Sequence, residues 1–392
     1  MPSTENKRGI FAVMVAHCAG MLDLVALPVW VGTLVSRYQF DPQQAGGLAT
    51  LFLIGASVAS VVLAPRFNQF NAKWMAVAGF GLAALAFVLA SQNAGFPVLA
   101  GLHLLGGMAT GTALSFTHGT IGRAMNPHRV FAWASLAVGI FGILFLGATP
   151  GLVEKNGGPA LFFVFTGVMT TAALACLFFF PRPHAPTEHT HASEGQSLQP
   201  LSRAVWYCIL GIALLCMTQA MTLSFFERIG MARGFGRESV TMALVIYGLV
   251  TLVPGALAGM LEKRLSATSV ICTVPVFQAV FAMTATHTSS FPLYAASGAL
   301  MAFTIIFTHT FAFGLLARLD RTGRAVAATP AMLMVGAAIA PFIGGTLYKF
   351  IGFEAIGYAA MMLVVLELVL FNLTRTHMQC SAGGVATSLA QA

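Results

Sequence analysis

Asp23 is an acidic residue inside a long apolar segment, in the run Gly20-Met21-Leu22-Asp23-Leu24. A charged side chain at the centre of a bilayer costs roughly 2.5–3.5 kcal/mol on insertion scales, so those that persist usually have a function. A carboxyl that alternates between charged and neutral forms can couple proton movement to a conformational change. We therefore predict that Asp23 is the principal proton-coupling residue. The alternative is a fixed hydrogen bond to a neighbouring helix.

Four histidines, His17, His103, His118 and His309, lie in the first, fourth and tenth apolar segments. Histidine changes charge near neutral pH, so it is suited to proton transfer. We predict proton coupling for His17, His118 and His309; the alternative for each is a structural hydrogen bond. His17 and Asp23 are about 120° apart on a helix, so a distortion is needed for both to face one cavity. Of the two we favour Asp23.

Hydrogen-bonding and aromatic residues recur at helical spacing in the fourth, seventh and tenth segments. His103, Thr110 and Thr117 share one helical face because they are spaced by seven residues. We predict that these three line a substrate cavity, together with Gln219, Thr222, Phe226, Thr304, Thr308 and Phe311. For a single Ser or Thr, polar contact between helices is the alternative.

The elements that must position these residues are apolar helices. The chain is 57% hydrophobic and 8% charged, against roughly 25% charged residues in soluble domains. We predict an all-α membrane protein, because twelve segments are long enough to cross the ~30 Å hydrocarbon layer. They span residues 9–36, 44–64, 73–91, 96–121, 130–150, 159–180, 203–229, 238–260, 267–286, 291–317, 325–346 and 352–373.

The basic residues predict the orientation. Most of the 20 Lys and Arg residues fall in the termini and in the loops on the same side, which by the positive-inside rule is cytoplasmic. We predict a bacterial inner-membrane protein with both termini on the cytoplasmic side. This topology also explains the net charge of +8 without nucleic acid. No small-residue cleavage site follows Lys7 and Arg8, so we predict a retained first helix.

A polar stretch near the chain's midpoint divides it into two halves. We predict an N-terminal six-helix bundle at 1–180, a cytoplasmic linker at 181–202, a C-terminal six-helix bundle at 203–373 and a disordered tail at 374–392. The halves carry weak repeats, such as Phe-Thr-His at both 116–118 and 307–309. The linker histidines could bind a metal, but a loop without ligand geometry makes this unfavourable, and we predict no metal site and no cofactor.

This architecture resembles the major facilitator superfamily over residues 9–373. The most specific match is the segment from Asp320 to Ala325 followed by a Gly/Pro-rich helix, whereas the signature loop between helices 2 and 3 has Asn68 in place of its acid. The resemblance implies two halves that rock about a central cavity lined by helices 1, 4, 7 and 10. It also implies cytoplasmic gate loops, which hold Arg66, Lys73, Glu262, Lys263, Arg264, Asp320, Arg321 and Arg324.

These features predict proton-coupled secondary transport of a small amphipathic organic solute by a monomer, as symporter or antiporter. No Arg or Lys falls inside a helix, which argues against polyanions, and 32 Phe with 19 Met suit an amphipathic solute. Drug or metabolite efflux by proton antiport is the alternative, and a non-transporting membrane sensor is a third, less favoured hypothesis. We expect no enzyme, because H-E-x-x-H and G-x-S-x-G motifs and a P-loop are absent from the sequence.

Overall fold

The computed structural model describes residues 6–63, 69–124, 127–181, 201–320 and 329–391, together with Arg66 and Ala325. Within these residues, twelve helices are long and apolar enough to cross a membrane, and no strand occurs. The predicted all-α class and the number of spans are confirmed. The predicted orientation in the membrane stays a prediction.

Six spans form each half, and three of the twelve are broken into two helices. The N-terminal half contains TM1a (Lys7–Gly20), TM1b (Leu22–Ser36), TM2 (Pro42–Leu63), TM3 (Ala72–Ser91), TM4 (Phe96–Gly122), TM5 (Pro127–Asn156) and TM6 (Pro159–Phe179). The C-terminal half contains TM7 (Arg203–Ala232), TM8a (Arg237–Val250), TM8b (Pro254–Leu261), TM9 (Ala267–His287), TM10 (Phe291–Leu319), TM11a (Thr329–Ala338), TM11b (Ala340–Phe350) and TM12 (Glu354–Gln391).

Local chemistry explains many helix ends. Side chains of Asn71, Ser202 and Ser266 accept hydrogen bonds from backbone N–H groups in the first turns of TM3, TM7 and TM9, as N-cap residues do. TM8 breaks just before Pro254 and TM11 just before Pro341, since proline lacks the N–H that would continue the helix.

The two ends of the bundle differ in how the halves meet. We call the end that holds Lys7, Phe179 and Arg203 the linker end, and the opposite end the far end. Across the halves, TM2 packs on TM11, TM1b on TM7 and TM5 on TM8a. A Cβ atom on Gly46 of TM2 would lie 2.0 Å from the carbonyl oxygen of Pro341, so this crossing requires a glycine.

Polar contacts join the halves at the far end. Lys349 Nζ lies 3.0 Å from Asp41 Oδ2, and Arg237 Nε lies 3.2 Å from Glu154 Oε1. Partial burial acts to raise the pKa of Asp41, but hydrogen bonds from the Gln44 backbone and the Lys349 ammonium outweigh it and lower the pKa. In this conformation the far end is therefore held together by ionised groups.

Two helix ends differ from the predicted ones, and some predicted residues lie outside the described ranges. TM5 runs from Pro127 to Asn156, beyond the predicted 130–150, because Pro150 does not end it. The backbone of TM12 is helical to Gln391, where the sequence predicted a disordered tail; no proline interrupts this alanine-containing stretch. The histidines of the linker lie outside the described residues, as do Arg321 and Arg324.

Candidate functional site

A cavity of about 720 Å³ lies between the halves. It is formed by TM1 and TM5 of one half and by TM8 and TM10 of the other, in the part of the bundle nearer the linker end. Among its described lining residues there is no Asp, Glu, Lys or Arg. The polar side chains of its wall are His17, Ser135, Tyr247, Thr251, His309 and Thr310.

The break in TM8 opens this space. TM8a packs on both TM5 and TM10, whereas TM8b packs mainly on TM10. Leu252, at the break, still reaches TM5, since a Cβ atom on Gly139 would lie 2.2 Å from its Cδ2. Beyond that contact Gly255 and Ala256 line the cavity. The sequence around Pro254 therefore separates TM5 from TM8 on the linker side.

His17 and His118 form a hydrogen-bonded pair at one wall. His17 Nδ1 lies 2.8 Å from His118 Nε2, and the edge-on ring of Phe131 contacts both imidazoles. A nitrogen–nitrogen hydrogen bond needs one N–H and one lone pair, so the pair always holds a proton between its rings. Because His17 also lines the cavity, that wall can exchange a proton with a bound molecule.

His309 lies on the opposite wall, on TM10. Its ring packs on Phe313, with ring centroids 5.1 Å apart. The Nδ1 atom is buried and has no hydrogen-bond partner in the described part of the chain. An imidazole with an open hydrogen-bonding position can bind a solute or a proton.

Asp23 lies behind the cavity wall. Met21, Leu24 and Val25 line the cavity, but Asp23 is not among its lining residues and is 2% exposed. It occupies the first turn of TM1b, and its Oδ1 atom is buried with no hydrogen-bond partner among the described residues. TM1 breaks at Met21, but the break does not bring both His17 and Asp23 into the cavity wall. Histidine, and not the favoured aspartate, faces the cavity.

The structure places His103 away from the cavity, which corrects the predicted lining role in this conformation. It is fully buried in the N-terminal half, where the indole N–H of Trp30 donates to Nε2 at 3.2 Å. Nδ1 lies 2.6 Å from the Leu99 carbonyl oxygen, so it carries the proton. Both nitrogens are used, and aromatic rings such as Phe162 surround the imidazole.

The other predicted cavity residues are also buried, and none of them lines the cavity. Thr110 and Thr117 donate to carbonyl oxygens one turn earlier in TM4. Thr222, Phe226, Thr304, Thr308 and Phe311 are all buried in the C-terminal half, and none is among the cavity-lining residues. Gln219 reaches the cavity indirectly, since its amide donates to the hydroxyl of Tyr247 at 3.1 Å.

Tyr247, Ser135 and Thr251 were not predicted, because the polar residues at helical spacing lie in helices 4, 7 and 10 and not in helices 5 and 8. A usable signal was present in TM5 and TM8, where small residues at Gly139, Gly142 and Gly248 allow close approach and leave space for a solute.

The predicted gate loops lie at the linker end. Glu262 and Arg318 form an exposed ion pair at 3.4 Å, and both belong to the C-terminal half. Asp320 Oδ2 accepts from the backbone N–H of Ala325 at 2.8 Å. The Arg66 guanidinium bonds the Val62 carbonyl, and Lys73 lies over the Trp74 ring. Lys263 and Arg264 are exposed at the end of TM8b.

A helical bundle with two halves around a cavity matches known membrane transporters. The sequence profile of the Major Facilitator Superfamily matches residues 11–329. The chain belongs to the major facilitator superfamily. As a superfamily member it is a transporter with twelve spans and not an enzyme. No curated protein matches the sequence.

Two solved structures share this superfamily member's fold. Both are of a bacterial homologue of the human lysosomal transporter Spinster. The one described as inward-facing and occupied has a TM-score of 0.78 at 13% identity, covering 96% of this chain and 98% of the other. The one described as inward-facing and unoccupied has a TM-score of 0.71 at 12% identity, covering 94% and 97%. At these sequence identities the comparison shows a shared fold alone.

Proposed function

We propose that this superfamily member is a proton-coupled secondary transporter of a small amphipathic organic solute, working by alternating access. The observation that carries the proposal is the cavity between the halves, which has His17 and His309 on opposite walls. Its other lining residues are mostly apolar, which fits a solute with a hydrophobic body and few polar groups.

The present conformation supports access from the linker end. The halves are joined at the far end by two ion pairs, and the cavity occupies the opposite part of the bundle. The fold likeness to a transporter described in inward-facing conformations agrees with this state. With the termini in the cytoplasm, as the basic residues predict, the cavity opens inward.

We assign proton coupling to the three histidines, with Asp23 of TM1b as a further candidate. A solute that enters contacts His309 on one wall and His17 on the other, and His118 can take up or return a proton through its hydrogen bond with His17. Asp23, buried one turn beyond the TM1 break, senses the same movement of TM1. A solute that binds one protonation state better shifts the equilibrium between the two conformations.

Reconstitution tests this function. Proteoliposomes with an imposed pH gradient are assayed with three solutes that share one aromatic body and differ in a single group: a carboxylate, an amide and an ammonium. We expect gradient-driven uptake of at least one, with solute-dependent proton movement recorded by an entrapped pH dye. Transport in the direction of the proton indicates symport, and the opposite direction indicates antiport.

Variants locate the coupling site. We expect His309→Gln and His17→Gln each to lower gradient-driven flux by tenfold or more, an effect within the usual range for proton-transfer groups. His287→Gln is the matched control, since His287 lies at the far end of TM9 and bonds Thr286. Equal coupled flux in the wild type and in both cavity variants would exclude the histidines from coupling.

A further inference from the structure

A carboxyl group lies where TM1b and TM7 cross, close to the far end. Glu227 of TM7 packs on Gly32 of TM1b, so that a Cβ atom on Gly32 would lie 2.9 Å from Glu227 Cδ and 3.0 Å from Oε2. The two residues belong to different halves. The carboxyl is therefore covered by the backbone of a helix that must move away if the far end opens.

The surroundings offer this carboxyl few partners. Oε2 is buried and has no hydrogen bond in the described residues, and Glu227 has no ion pair among them. The nearby guanidinium groups are those of Arg228 on the same helix and Arg237 on TM8a. Arg237 is already paired with Glu154 at 3.2 Å.

TM10 places one titratable group beside Glu227. The hydroxyl of Tyr294 donates to the Phe226 carbonyl at 2.5 Å, so its proton is used elsewhere. On TM1b the charged residues are Asp23, at its start, and Arg37, at its C-cap. Closing this contact around a charged carboxylate incurs a desolvation cost that a neutral carboxyl largely avoids.

We propose that Glu227 is a second proton-binding group, which is neutral while TM1b covers it and which releases its proton to the far side when the halves part there. On release the O–H bond breaks, the electron pair stays on the carboxylate and the proton passes to water. Reclosure requires the reverse. This inference rests on the alternating access proposed above.

The proposal gives the two ends of the transporter separate titratable groups. In this conformation His17 and His309 line the cavity near the linker end, while the carboxyl of the partly buried Glu227 packs against Gly32 with its Oε2 atom buried. Opening the far end exposes Glu227 and, in the same movement, closes the linker side. A proton bound at Glu227 therefore favours the conformation described here, and its loss favours the opposite one.

Pulsed electron paramagnetic resonance tests this without a solute. Nitroxide labels are attached to cysteines at two exposed far-end positions in different halves, Asn156 and Phe350, in full-length protein whose native cysteines are replaced. For wild-type Glu227 we expect a longer-distance population that grows severalfold as the pH is raised. Glu227→Gln should keep the short distance throughout.

Two further variants make the test specific. Glu154→Gln removes the ion pair with Arg237 but leaves Glu227, so it should retain the pH response. Glu227→Met, a second neutral variant, should behave as Glu227→Gln does and serves if the latter does not fold. A pH response in both neutral variants equal to that of the wild type would overturn the role of Glu227.

The outcome separates this inference from the proposed function. A far end that opens with pH equally well in wild type and neutral variants overturns only Glu227. A far end that stays closed at every pH in all proteins overturns Glu227 as a pH-dependent gate, and the flux assay then decides on transport independently.

Discussion

At the scale of single residues, the same side-chain type has different surroundings in different places. His103 uses both ring nitrogens inside the N-terminal half, whereas His309 leaves Nδ1 without a partner beside a cavity. Sequence position alone treats the two alike, since each is a histidine within an apolar helix. Whether a residue is structural or functional depends here on which neighbours fill its hydrogen-bonding positions.

Asp23 illustrates the same limit. The spacing indicates that TM1 would have to be distorted for His17 and Asp23 to face one cavity. TM1 does break at Met21, yet only His17 lines the cavity. The spacing does not indicate which of the two faces the cavity. Which of the two residues faces the cavity depends on how TM1b packs against TM7, and the sequence of TM1 alone does not specify that contact.

Glu367 permits a prediction about stability. Its Oε1 accepts a hydrogen bond from Thr218 at 2.8 Å between TM12 and TM7, and it is fully buried. Thr218→Val should remove this bond and lower the free energy of unfolding by about 1–3 kcal/mol, the usual cost of an unsatisfied buried group. The measurement is thermal unfolding in detergent.

Thr222→Val is the matched control for that change. The Thr222 hydroxyl donates to the carbonyl of Thr218 within the same helix, so its loss leaves only a carbonyl that the helix already satisfies. A Thr222 variant destabilised as much as the Thr218 variant would show that Glu367 does not depend on this bond.

At the scale of helices, the sequence was informative wherever the cause is local. Apolar length predicted all twelve spans, and TM4, TM6 and TM10 each carry a proline in the first turn, where its missing N–H costs little. The sequence was less informative about the cavity. The cavity depends on how the break in TM8 at Pro254 changes the packing between TM5, TM8 and TM10, and these contacts are distant in sequence. The residues that line it, such as Tyr247, carry no pattern distinct from ordinary helix packing.

The crossing of TM2 and TM11b permits a second prediction. A Cβ atom on Gly46 would lie 2.0 Å from the Pro341 carbonyl oxygen, whereas one on Gly47 would lie 3.6 Å from the Phe342 ring. Gly46→Ala should therefore force the helices apart and destabilise the closed far end by about 1–3 kcal/mol. Far-end distances measured by electron paramagnetic resonance should lengthen in this variant.

Gly47→Ala is the control on the next residue of TM2, and the far-end distances should match the wild type. Since alanine favours helix over glycine by up to about 1 kcal/mol, this variant should be as stable as the wild type or more so. If the two variants gave the same distances, close packing at Gly46 would not be what keeps the far end shut.

At the scale of the whole molecule, the two halves meet at a surface that, under the alternating access proposed above, must form and separate in each cycle. Such an interface cannot be very stable, since a transporter that is locked in one conformation does not turn over. The far end agrees with this requirement. Its ion pairs are partly exposed, with side-chain exposures of 35% for Lys349 and 32% for Asp41, so each contributes little.

The pair of Asp41 and Lys349 gives a final prediction, about pH and salt. Because its surroundings lower the pKa of Asp41, its contribution to the closed far end is present above the ordinary carboxyl pKa of about 4. That contribution is lost only as the pH falls through the lowered value. The charge state of Asp41 is therefore constant across neutral pH.

Asp41→Asn should shift the equilibrium from the closed to the open far end slightly at every neutral pH, by a free energy of no more than about 1 kcal/mol. The change appears in the far-end distance distribution, and 1 M salt should reduce the difference from the wild type. A pH response near neutrality that disappears in Asp41→Asn would instead assign to this pair the titration that we attribute to Glu227.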